Sequence, residues 1–107
     1  MVTVTIVPRA GENLYGLLIE EERELRRNEQ GTLHRHGPRR RGSEKWVHKS
    51  ISGYVKFQRT LGDVLVAVVA SPDESDEWRL LNSFIGFVHR HFREEVASVL
   101  LTYGTDE

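Results

Sequence analysis

An α+β fold, a mostly antiparallel β-sheet with two helices packed on it in the order β-α-β-β-β-α-β, is predicted by three observations. Short segments alternate apolar and polar side chains with a period of two, as in Val2-Thr3-Val4-Thr5-Ile6. One unbroken apolar run, Val64 to Ala70, has the length and β-branched content of an inner strand buried on both faces. A later segment, Ser71 to Phe92, repeats its apolar residues at spacings of three and four, the period of a helix lying on a sheet.

At 107 residues the chain has the size of one domain with one core, so residues 1–107 are read as a single unit. It opens with a strand ending at Pro8, whose missing donor stops the ladder. Glu12 to Glu29 is rich in Leu, Glu and Arg and reads as the first helix, stopped at Gln30-Gly31. Leu14, Leu18, Ile19 and Leu25 share its apolar face, which Glu21 and Glu22 interrupt, so its second half is expected to be solvated. A competing reading makes Leu14 to Glu20 a strand with a bulge at Gly16.

Residues 31–44 hold Gly31, Gly37, Pro38 and Gly42 around three consecutive arginines and are expected to form a flexible basic loop. From Trp46 the alternation resumes, with Trp46, His48 and Ser50 on one side. Ser52-Gly53 marks a turn, and Tyr54 to Arg59 alternates again, with Val55 and Phe57 opposite Lys56 and Gln58. Leu61-Gly62-Asp63 is a short connection to the inner strand. Ser71-Pro72-Asp73-Glu74 is a helix start in which Ser71 caps, Pro72 is the first helical residue and Glu74 closes a capping box. Trp78, Leu81, Phe84, Ile85, Val88 and Phe92 then face the sheet, and Val96 to Tyr103 is the last strand.

Several functions are closed by composition. Without cysteine there is no disulfide, no thiolate metal site and no thiol nucleophile. No run approaches the roughly 20 apolar residues that span a bilayer, and Met1 to Pro8 does not resemble a secretory leader, so a cytoplasmic location without membrane contact is expected. No cofactor is expected, because Gly31, Gly37 and Gly42 match neither nucleotide-binding fingerprint. No metal site is indicated: His89 and His91, two apart on a helix, diverge, and no His-x-x-x-His spacing occurs. His48 and Ser50 share a strand face, but no carboxylate is placed by spacing to orient the imidazole, so catalysis is not indicated.

Two functional readings remain. Between Gly31 and Lys49 six basic residues, Arg35, Arg39, Arg40, Arg41, Lys45 and Lys49, stand against the single acid Glu44. With Trp46 or Tyr54 to stack on a base, these residues would bind RNA or single-stranded DNA. In the other reading the chain is a self-associating interaction module. The second helix is apolar over more of its circumference than one sheet contact needs, and Leu80, Phe84 and Phe87 form a second ridge that a homodimer would use. Gly86, costing about 1 kcal/mol relative to alanine in mid-helix, would let another backbone approach there.

Overall fold

The fold is seen in a computed structural model, which describes residues 1–38 and 40–104. Strand β1 (Val2–Pro8) is followed by α1 (Leu14–Arg27), β2 (Leu33–Arg35), β3 (Ser43–His48), β4 (Tyr54–Arg59), β5 (Leu65–Ala70), α2 (Glu74–Phe92) and β6 (Val96–Tyr103). The strands form one six-stranded antiparallel sheet in the order β2-β3-β4-β5-β1-β6. The α+β architecture with two helices on a sheet is therefore as expected, with one strand more. That strand, β2, lies inside the segment read as a flexible loop, and its Leu33 is buried. Three residues are too few to show an alternation, so only the ladder with β3 reveals it.

Register decides which residues share a face. Val4 lies opposite Ala67 and Leu101, and Val55 opposite Trp46 and Val69, so these residues point to one side. Both helices cover that side. Tyr15 of α1 meets Phe57 edge-on at 5.7 Å, and Trp46 meets Phe57, Phe87 and Phe84 at 5.0, 5.1 and 6.2 Å between ring centroids. The buried residues of both helices and of the strands form one continuous cluster. Leu80, Phe84 and Phe87 belong to it. Such edge-to-face aromatic pairs add about 0.5–1.5 kcal/mol each beyond the area they bury.

Among the described residues no helix lies on the other side of the sheet. β5 is consequently buried on one face only: Leu65, Ala67 and Val69 are sealed, while Val66, Val68 and Ala70 are half-buried on the open side. An apolar run thus reports a central position in the sheet, since β4 and β1 flank β5, rather than cover on both faces.

The helix ends differ from the expected ones in instructive ways. Asn13, not Glu12, opens α1, its side chain accepting from the Gly16 amide at 3.2 Å, and this excludes the strand reading of Leu14 to Glu20. α1 closes in a Schellman motif: Glu29 takes a φ of 56°, its amide bonds Arg26 O, and the Gln30 amide bonds Leu25 O at 2.8 Å. At α2 the cap is Asp73, which accepts from the Asp76 amide at 3.1 Å, and the helix begins at Glu74. Ser71 Oγ accepts only from the Asp73 amide at 3.4 Å, because a carboxylate three residues from an orphan amide is the stronger acceptor. Trp78 is 58% exposed rather than facing the sheet. Its position, seven residues before the half-buried Ile85, puts it on the flank of α2 instead of on the Leu81–Phe84–Val88 stripe. Gly53 is fixed by space as well as by its φ of 119°, since a Cβ there would lie 2.3 Å from Ala70 O.

Candidate functional site

Two surfaces stand out, one at each end of the strand order. The first is built by the β2–β3 hairpin. His36 N donates to Lys45 O at 2.8 Å as the last rung, Gly37 turns at a φ of 84°, and Arg40 bridges to Ser43. The hairpin overhangs the open side of the sheet and encloses a concavity of about 520 Å³ lined by His36, Arg40, Ser43, Lys45, Tyr54 and Lys56, among others. Lys45 and Lys56 lie opposite each other in the β3–β4 ladder, and Lys45 Nζ sits 5.0 Å from the Tyr54 ring centroid. Neither lysine nor Arg40 pairs with a carboxylate among the described residues.

The basic residues singled out in the sequence divide accordingly. Arg40 and Lys45 line the concavity. Arg41 is exposed beside it. Arg35 is half-buried, with Nη1 donating to Gly37 O at 2.9 Å, so it braces the hairpin. Lys49 lies at the far end of β3, where its amide bonds Thr32 O. Arg39 lies outside the described residues. Trp46 is fully buried, so it cannot stack on a ligand; its indole N–H donates to Glu44 Oε1 at 3.2 Å, and Glu44 is itself 3% exposed. Burying a tryptophan requires a partner for that N–H, which accounts for the lone acid in the basic stretch. Lys56 was not singled out by the sequence, because only the register shows it beside Lys45.

The second surface is the free edge of β6. Eight residues, Val96 to Tyr103, contain no charge and no proline. On β6 Val99, Leu100 and Tyr103 are 42, 62 and 64% exposed. Cover runs out here: six strands spaced about 4.8 Å apart span about 24 Å, whereas two helices about 10 Å across cover about 20 Å. α2 lies over β4 and β5, and α1 contacts β2. A groove of about 270 Å³ is left between the flank of α2, at Ile85, Val88, His89 and Arg93, and Val96 to Val99 of β6. The ridge expected at Leu80, Phe84 and Phe87 is 0, 0 and 4% exposed, so those side chains are used within the chain and leave little surface for a partner. A Cβ at Gly86 would meet Arg90 Nη1 at 3.4 Å and, among the described residues, no backbone from outside the helix.

The remaining titratable groups hold the fold together. Glu22, expected to be solvated, is completely buried; Oε2 meets His34 Nδ1 at 3.0 Å and Arg26 Nε at 3.4 Å, tying α1 to β2. His48 Nδ1 accepts from the Ser50 amide at 3.0 Å, so the imidazole is spent on the turn after β3 and not on the Ser50 hydroxyl. Burial, and secondarily the Arg79 guanidinium, hold the His48 pKa below its ordinary 6.5. Among the described residues no three His, Asp or Glu side chains gather where they could hold a metal ion, and no helix is long and apolar enough to cross a membrane. Comparison with protein-family models, with curated proteins and with solved structures finds no match to this chain.

Proposed function

We propose that the protein is a self-associating interaction module without catalytic activity, two copies joining edge to edge through β6. The observation that carries this reading is the uncharged, eight-residue edge with Val99, Leu100 and Tyr103 exposed on it. An edge strand of that length presents a row of unpaired amides and carbonyls, and stable monomers blunt such edges with charge, proline or cover. The occupant is a second copy because an antiparallel edge is self-complementary about a two-fold axis. Pairing centred on Leu100 keeps every residue on its own face, sets Val99 against Leu101 of the partner subunit, and brings the partner's Tyr103 over the groove at Ala97. An aromatic ring from the partner then fills the strip that two helices leave uncovered.

Light scattering tests the reading: the wild-type chain should have twice the monomer mass, and V99K/L100K should have the monomer mass with an unchanged circular dichroism spectrum. A wild-type monomer at high protein concentration refutes it. The register is tested in a chain that has no cysteine of its own. Leu100→Cys should cross-link to itself under mild oxidation, since directly opposed residues have Cα atoms about 4.5–5.5 Å apart. Ser98→Cys, two residues off the axis, should not.

A further inference from the structure

We infer that the concavity under the β2–β3 hairpin is a binding site for single-stranded nucleic acid, with Arg40, Lys45 and Lys56 on phosphates and Tyr54 against a base. The inference is independent of self-association, because the site lies at the opposite end of the strand order from β6.

Three observations support it. First, the charges converge on a concave place rather than spreading over a solvated loop. Lys45 and Lys56 are cross-strand neighbours, and the hairpin folds Arg40 and His36 toward them. Like charges directly opposite each other in a ladder destabilise a sheet, and a bridging anion would relieve this pair, neither of which bonds a carboxylate among the described residues. Second, among the described residues the strands project no acid onto the open side of the sheet. The residues that alternate with the core positions on β1, β4, β5 and β6 are Thr3, Thr5, Val7, Tyr54, Lys56, Gln58, Val66, Val68, Ala70, Ser98, Leu100 and Thr102. The one acid of β3, Glu44, borders the concavity but is 3% exposed, with Oε1 turned into the core to accept from Trp46. Third, an aromatic ring stands at the site with a cation 5.0 Å from its centre. An open sheet face that carries a ring beside lysines is the arrangement that binds a strand by stacking and backbone neutralisation. A polyanion without bases would need the lysines but not the ring, which separates the two.

The experiment is fluorescence anisotropy with a labelled oligothymidylate of about 10 nucleotides, within the site sizes of such faces, titrated at several salt concentrations. Lys45→Ala combined with Lys56→Ala should weaken binding at low salt and flatten the slope of log K against log salt by about 1.4, two phosphates at about 0.7 each. Tyr54→Ala should weaken binding about ten-fold and Tyr54→Phe should restore it. Lys49→Ala, roughly 13 Å along β3 from Lys45, should leave the slope unchanged. V99S/Y103S, which adds no charge and changes only residues on the helix-covered side of β6, should lose dimerisation yet bind the oligonucleotide as wild type does, so a failure of dimerisation and a failure of this site are read separately. The inference is overturned if the wild-type chain does not bind at low salt, or if the lysine variant keeps the full slope. It is also overturned if Tyr54→Ala has no effect while heparin competes fully, which would reduce the site to a cationic patch, or if a mononucleotide binds as tightly as the oligomer.

Discussion

The two edges of the sheet are built on opposite principles. β2 is three residues long, lies beside α1, and is fastened at two points: Leu33 enters the core, and His34 reaches the buried carboxylate of Glu22. β6 is eight residues long, uncharged, and fastened on one side only, by its ladder to β1. The short edge therefore has little backbone left to offer, while the long one presents an outer row that no other strand pairs among the described residues. A chain that protects one edge and leaves the other free has a direction in which it can be extended. The hairpin that leads away from the protected edge is free to carry charge, because nothing further has to pair there.

The comparison predicts that damage near β2 costs the fold and damage at β6 costs only association. The largest effect is expected from Trp46→Ala, which empties the centre of the aromatic cluster and leaves Glu44 buried without its partner. A loss of about 3–5 kcal/mol in urea unfolding is expected, whereas Leu100→Ala should change the stability of a monomeric variant by less than about 0.5 kcal/mol. Equal losses at the two sites would dissolve the contrast. Next in size is Glu22→Ala, which frees both Arg26 and His34. Because those two partners are partly exposed and can be rehydrated, the loss should be about 1–3 kcal/mol, below that of a fully sealed ion pair. Amide exchange should show β2 opening before β1 in this variant.

The smallest effect concerns pH. The His48 pKa is lower in the folded than in the unfolded chain, so the folded state favours the neutral imidazole. The contribution is fully present above pH 6.5 and is lost as the pH falls through the lower folded value. His48→Asn should therefore unfold with a urea midpoint that falls less between pH 7.5 and 5 than the wild-type midpoint does. If the two fall in parallel, the acid sensitivity lies elsewhere.

Much of this architecture was legible in local sequence. The period-two alternation of Val2 to Ile6 and of Tyr54 to Arg59, and the three-and-four spacing of Leu81, Phe84 and Val88, report elements whose residues decide their own burial. β2 is hidden because three residues have no period, and Trp78 departs from its expected place because a helix stripe does not state where the sheet beneath it ends. The candidate sites were half legible. Arg40 and Lys45 were found by composition, but the same composition also nominated Trp46, which is core, and passed over Lys56.

By itself the sequence determined the helices, most of the strands and the fact of a basic stretch, since periodicity and capping act over a few neighbouring residues. Tertiary structure alone decided that Leu80, Phe84 and Phe87 face inward, that both helices share one side, and that β6 rather than β2 is the open edge. Those outcomes depend on ladder register and on how many strands two helices can cover. Both are properties of residues far apart in the chain, and no local pattern encodes them.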